Sequence, residues 1–494
     1  MKQLSTLGHR TFLFSALFVL STIVHAQKQT NFWYFGTFAG LNFNSGSPVV
    51  VTTGSLNTTE GCAAISDANG ALLFYTDGVT VWNKNNTVMP NGTGLQGDPS
   101  STQSALVVKK PGSSTIYYIF TMPAEGVGNF AYSVVDMTLD SGNGDVTTKN
   151  TAIKSNVTEK LSAVHNCNGT DIWVMVHELG NNSFYAYSVT SAGVSTTAVV
   201  SNVGRVQTRV YGQMKFNTAG TKLACTRDTM VQQGPPYQGT TYLDVFDFDN
   251  QTGMVTNPLA LFLNNWQKSY GVEFSPDNSK VYASYYDQSG INGGNSEIIQ
   301  YNLTATNVAA SGVTVGASFD PDILRAMQLA PDGKIYVSKS GTPFLCVINS
   351  PNASGPASSY SADVINVDPN AVGASCMLGL PGFVQSYFNP NFPNIVTCSN
   401  TTTGILTESK SGGPAKVWFS QSDKLNISPR FDETGNYSFK VYNMLGKNVY
   451  ENSFYYDGKS SEPVEYNLNA LPSGVYMIDV SGKGISYRTK LYKP

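Results

Sequence analysis

The sequence predicts an all-β protein, a seven-bladed β-propeller (six or eight blades also fit the spacing) followed by a small C-terminal β-sandwich. Three observations carry this reading: a recurring strand–turn–strand unit, strands with period-2 alternation, and a composition low in charge and rich in aromatic residues. Charged residues make up 13% of the 494, about half the roughly 25% of ordinary soluble proteins. Aromatic residues reach 12%, with 27 Tyr and 25 Phe. A coiled coil or a charged disordered chain is excluded, since both need many Glu, Lys and Arg residues. The formal net charge is −3 and no Lys/Arg run stands out, so a nucleic-acid-binding footprint is absent.

Residues 1–26 read as a secretory signal. Lys2 and Arg10 open it, Thr11–Val24 is mostly apolar, and Val24-His25-Ala26 offers a small-residue cleavage site, placing the cut between Ala26 and Gln27. The apolar run is shorter than the ~20 residues a membrane-spanning helix needs, and no later stretch could span a membrane once the signal is removed.

Residues 27–390 carry the repeat. Ser275-Pro276-Asp277-Asn278-Ser279-Lys280-Val281-Tyr282 and Ala330-Pro331-Asp332-Gly333-Lys334-Ile335-Tyr336 are two clear copies. Gly70, Gly112, Gly169, Gly220, Asn278 and Gly333 mark successive turns 42 to 58 residues apart. Gly or Asn there supplies the positive φ that a tight hairpin requires, and the spacing suits one four-stranded blade per copy. A blade has two apolar faces and must pack on neighbours, which favours a closed ring. Six copies lie between Gly61 and about Val367. Gly382–Phe388 reads as an inner strand without its hairpin, and Asn31–Phe43 as outer strands without an inner one. Together they predict a seventh blade built from both ends of the body.

Six cysteines are present: Cys62, Cys167, Cys225, Cys346, Cys376 and Cys398. None forms a CxxC pair, so zinc or thioredoxin-like chemistry has no support. Cys376 and Cys398 flank one predicted strand and are the expected disulfide, with buried free thiols as the alternative. No metal site and no cofactor are expected. Only His165 and His177 lie beyond the signal, which leaves a His-based triad or a three-His metal site without support. Asp244, Asp247 and Asp249 miss the spacing of a calcium loop and read as a strand followed by an Asx turn.

The site expectation is topological. Residues just before each inner strand converge on one mouth of a propeller's channel, and here they include Glu60, Gln103, Glu159, Lys160, Arg209, Tyr211, Tyr270 and Arg325, with Ser101, Thr102 and Lys268 beside them. Convergent polar groups in a concave place suit ligand binding, and Trp82 and Trp266 could add stacking faces. The alternative is that these groups bond one another and hold the blades in register. No catalytic residues are assigned.

Asn31-Phe32-Trp33-Tyr34-Phe35-Gly36, Glu60-Gly61-Cys62-Ala63-Ala64-Ile65-Ser66-Asp67 and Leu73-Phe74-Tyr75-Thr76-Asp77-Gly78 resemble a propeller family of secreted Bacteroidetes proteins. Val81-Trp82-Asn83 and Ser100-Ser101-Thr102-Gln103-Ser104 continue the likeness, which covers roughly 31–390. Residues 391–414 are Asn-, Pro-, Thr-, Ser- and Gly-rich, as a linker should be. Residues 415–494 form a second all-β segment. Its Gly446-Lys447 turn, Leu471–Tyr476 segment and basic last strand resemble the type A C-terminal sorting domain of type IX secretion substrates. That resemblance implies recognition by the secretion machinery, removal of the tail, and a body released or held on the surface of a Gram-negative, Bacteroidetes-type cell.

Together these features point to an exported, non-enzymatic binding or adhesion protein using the propeller as its recognition platform, with an extracellular glycan or protein as ligand. A carbohydrate- or lactone-active propeller enzyme, and a structural component of the cell envelope or gliding machinery, are the alternatives. Fold alone does not choose among them.

Overall fold

The computed structural model describes residues 27–392 apart from 233–237, 266, 288–294 and 320–321. It also describes Cys398 and residues 415–493 apart from 420–423, 430, 432, 444–446, 459–462, 473 and 484. The expected signal, Trp266 and Gly446 lie outside these residues. Two compact units divide the chain, Met1–Val396 and Thr397–Pro494.

Among its described residues the first unit is a β-propeller built of seven small sheets. Six follow one another as antiparallel meanders, and their inner strands are Cys62–Ser66, Ala105–Lys109, Val157–His165, Met214–Phe216, Gln267–Phe274 and Ile323–Leu329. We number these sheets first to sixth. The closing sheet holds Phe32–Phe35, Ala39–Asn42 and Val49–Val50. All six turn markers have positive φ, from 62° at Asn278 to 90° at Gly70, so the hairpin expectation rests on the right residues.

The apolar core is split into wedges between neighbouring sheets, as the repeat demands. Val164, Met175 and Phe184 of the third sheet pack on Met214, Phe216 and Phe246 of the fourth. Leu243 and Val245 of the fourth meet Val272, Phe274 and Val281 of the fifth. The wedge at the closing sheet is the most aromatic, with Trp33 fully buried among Phe43, Tyr336 and Phe383 at ring distances of 5.1, 5.7 and 6.0 Å.

Ring closure differs from the expected inner strand at Gly382–Phe388. Only Pro381–Gly382 is extended, and it pairs in parallel with Cys62–Ala63 of the first sheet. Gln385–Phe388 is a 3-10 turn. Its Ser386 Oγ accepts the His165 backbone N–H at 3.0 Å and meets His165 Nδ1 at 2.7 Å, while Asn389 reaches the Thr218 carbonyl at 3.1 Å. These long-range bonds bend the segment under the third and fourth sheets, which a straight strand could not reach. The two chain ends still share one sector, through Trp33 and Phe383.

The disulfide expectation also changes. Cys376 is a free, fully buried thiol, as are Cys62, Cys225 and Cys346. The disulfide-bonded cysteines are Cys167 and Cys398. Burial inside the propeller removes Cys376 from any exposed partner and pushes its thiol well above the usual range.

The second unit packs Ala415–Phe419, Lys424–Pro429 and Val464–Asn467 as one sheet, and Asn448–Tyr456, Gly435–Asn443, Gly474–Gly482 and Ile485–Lys493 as the other. Tyr437, Phe439 and Val441 alternate inward with Ile478 and Val480, giving one apolar layer. This is the small sandwich the alternation predicts.

Candidate functional site

The mouth of the channel is made at one repeated place, the head of each inner strand. In the third, fifth and sixth sheets the pairing with the second strand is broken there, between Val157 and Leu161, Ser269 and Val272, and Leu324 and Met327. Such bulges leave residues unpaired and re-aim their side chains, and they hold Glu159, Tyr270 and Arg325. Adjacent sheets come very close at this level. A Cβ added to Gly271 would lie 2.3 Å from the Arg325 carbonyl oxygen, and one added to Gly379 would lie 2.0 Å from that of Glu60. Backbone bonds bridge the sheets there, as in Gly61 N–H to Ser101 O, Glu159 N–H to Val210 O, Ala326 N–H to Leu378 O and Leu378 N–H to Thr59 O.

A cavity of about 150 Å³ results, lined by Glu60, Ser100, Glu125, Glu159, Val210, Tyr211, Lys268, Ser269, Tyr270, Tyr286, Arg325 and Leu378. Five of the eight expected residues therefore line it: Glu60, Glu159, Tyr211, Tyr270 and Arg325. Three do not. Gln103 lies deeper, where its amide accepts the Leu161 and Met214 N–H groups at 3.1 and 2.8 Å and donates to the Met214 carbonyl. Lys160 is fully buried and donates to the Tyr211 carbonyl. Arg209 lies outside the lining, two residues before Tyr211. Trp82 is also away from the mouth, stacked on Tyr75 at 5.5 Å.

The acids are not equivalent. Glu159 is buried, and its two oxygens accept Thr102 N–H at 2.9 Å, Thr102 Oγ1–H at 2.8 Å and Glu125 N–H at 3.1 Å. Glu60 accepts the Tyr270 hydroxyl at 3.0 Å. Burial first, then the Glu159 carboxylate, pushes the Glu60 carboxyl up to about 7, against the downward pull of Tyr270, Thr102 and Arg325. Tyr270 and Tyr211 are both raised by burial, with Glu60 and Asp228 respectively adding to it.

The cations sit on aromatic faces. The Arg325 guanidinium lies 3.7 Å from the Tyr286 ring centroid and 5.6 Å from that of Tyr270, and its buried Nε has no hydrogen-bond partner among the described residues. Lys268 Nζ lies 5.6 Å from the Tyr211 ring.

The channel below is closed by mutual polar pairing. Lys215 and Glu273, both nearly inaccessible, form an ion pair at 2.8 Å, and Lys215 also donates to the Met327 carbonyl at 2.8 Å. Gln213 Oε1 accepts Val272 and Met327 N–H groups at 3.2 and 3.3 Å. Here the register-holding alternative describes the side chains. At the other end of the propeller a cavity of about 280 Å³ lies among Phe43, Pro276, Pro331, Asp332, Tyr387, Phe388 and Phe392. It is larger, and its lining mixes those rings and prolines with Gln27, Lys28, Thr30, Asn31, Asn44 and Asn389.

Asp244 pairs with buried Arg227 at 2.6 Å, Asp247 with Lys222 at 2.6 Å, and Asp249 caps a turn through Gln251 and Thr252. No metal-holding group of His, Cys, Asp and Glu occurs among the described residues, and none of their helices is long and apolar enough to cross a membrane. Sequence reasoning missed Ser100, Glu125, Val210, Ser269, Tyr286 and Leu378. Tyr286 is the register partner of Lys268 on the second strand. Leu378 precedes Gly379 as Glu60 precedes Gly61, and Tyr270 precedes Gly271, so that dipeptide pattern was the available signal.

Residues 421–493 match the secretion system C-terminal sorting domain family. The chain is a β-propeller protein carrying that domain, and it is exported through the type IX route to the cell surface or beyond it. No curated protein matches the chain. Among solved structures it is similar to a puromycin hydrolase (12% identity, TM-score 0.33, covering 78% of this chain and 51% of that one). It is similar also to a Mycobacterium tuberculosis puromycin-hydrolyzing peptidase (9%, 0.39, 92% and 59%). A third likeness is to the periplasmic gluconolactonase of Pseudomonas aeruginosa (11%, 0.34, 77% and 100%). The chain thus spans little more than half the length of the two puromycin-hydrolysing proteins. Likenesses this loose bear on no activity.

Proposed function

We propose that the exported propeller is a binding protein whose channel mouth recognises an extracellular ligand, without chemical turnover. One observation carries the reading: six sheets of the ring each bring a polar or charged side chain to a single cavity, and two of those side chains are cations without an ion-pair partner among the described residues. Convergent polar groups in a concave setting are what a recognition site needs. Adhesion to a surface glycan or protein would use the same mouth.

A second reading has its own support. A carboxyl near 7, bonded to a tyrosine and beside an arginine, has the acidity expected of a general acid or base, which favours hydrolysis of a lactone or glycoside. The test is a screen of the full chain against glycan and protein arrays together with lactone substrates. Binding without turnover, weakened by Arg325→Ala and Glu60→Ala at unchanged melting temperature, supports the first reading. Turnover lost in Glu60→Gln supports the second. Loss of stability in both alanine variants, with ligand binding unaffected, would make the mouth a structural feature.

A further inference from the structure

We propose that the mouth takes a hydroxylated carboxylate, a single sugar-acid unit such as a uronate, with its carboxylate on Arg325 and Lys268 and its hydroxyls toward the acidic side. The inference rests on the mouth being the binding site and names the ligand class. Charge is segregated around the ring. Glu60, Glu125 and Glu159 come from the first three sheets, while Lys268 and Arg325 come from the fifth and sixth.

On the basic side, neither cation has an ion-pair partner among the described residues, and Arg325 Nε is buried and unbonded. An unpaired buried donor is costly, and a carboxylate satisfies a guanidinium with two parallel bonds. Tyr286 under the guanidinium at 3.7 Å fixes its plane before a ligand arrives.

On the acidic side the charge is already engaged. Glu159 holds three donors, and Glu60 holds the Tyr270 hydroxyl. What these groups and Ser100 still offer is hydrogen bonding to neutral hydroxyls rather than a vacant countercharge for an ammonium. That favours a sugar acid over an amino acid. Size agrees: about 150 Å³ lies below the ~300–1,000 Å³ of drug-sized pockets and suits one ring.

The experiment is calorimetric titration of the full chain with galacturonate, glucuronate, galactose and alanine, repeated on Arg325→Met and Lys268→Met, with melting temperatures recorded alongside. The proposal expects a uronate to bind at least about tenfold tighter than galactose, a difference of ~1.4 kcal/mol, and expects Arg325→Met to erase that preference at unchanged melting temperature. Galactose binding as tightly as the uronates, or alanine binding tighter than they do, overturns the ligand class. So does an absence of uronate binding. If ligands bind but neither variant changes any affinity, the mouth itself is not the binding site, and the broader reading falls as well.

Discussion

Glu60 is the residue whose chemistry is most sensitive to its place. A carboxyl raised from 4.5 to about 7 is held protonated by the folded state across that interval. Its contribution to stability is therefore full below pH 4.5 and lost as the pH rises through about 7. The loss is up to roughly 3 kcal/mol by the usual conversion of a pKa shift. Glu60→Gln should flatten the slope of unfolding free energy between pH 5 and 8, measured by urea titration, and gain stability over the native chain at pH 8. Ionisation of Glu60 in the midst of Glu159, Glu125, Tyr270, Tyr211, Arg325 and Lys268 should also weaken binding of a carboxylate ligand above pH 7, an effect absent in the Gln variant. The residues lining the mouth were readable in the sequence wherever they head an inner strand. Gln103 and Lys160 were named for the mouth but sit away from it, because their partners are backbone groups of other sheets, and spacing along a chain says nothing about which carbonyl lies opposite.

The elements show a similar division. Tight turns are legible because positive φ selects Gly or Asn, and each of the six markers obeys. Bulges are less so, since the residues they release are chosen for what they face. Gly271 and Gly333 separate the two causes. An added Cβ at Gly271 would collide with the Arg325 carbonyl at 2.3 Å, while at Gly333 it would meet open space and only the φ of 76° resists it. Gly271→Ala should cost about 1–3 kcal/mol or more by overpacking and, by displacing Arg325, should reduce ligand affinity. Gly333→Ala should cost about 1–2 kcal/mol from backbone strain and leave affinity alone. Denaturant unfolding paired with ligand titration reads both. The misread element, Gly382–Phe388, had the apolar composition of a strand. Its bend is dictated by His165 and Thr218, more than 150 residues away in sequence.

At the scale of the molecule, ring closure depends on groups that must remain neutral. Burial lowers His165 and His177 to about 3. A depressed histidine costs stability as the pH falls from 6.5 toward 3, because the unfolded chain takes up the protons first. The propeller should thus melt at lower temperature at pH 5 than at pH 6.5, a trend that Glu60 opposes. His177→Gln should reduce the acid sensitivity if the variant folds as judged by circular dichroism. The sorting domain predicts a separate outcome: deleting residues 415–494 should leave the chain inside the cell envelope, read by fractionation of a type IX-competent host. That Asn31–Phe43 supplies strands was visible from the sequence. The order of strands within the closing sector was not, because one short parallel pairing decides it. The most direct measurement is an experimental structure of the full chain soaked with galacturonate. The account predicts a ligand carboxylate within hydrogen-bonding distance of Arg325, with its ring between Glu60 and Lys268. Ligand found instead in the cavity beside Tyr387 and Phe388, or an empty mouth at saturating uronate, would contradict it.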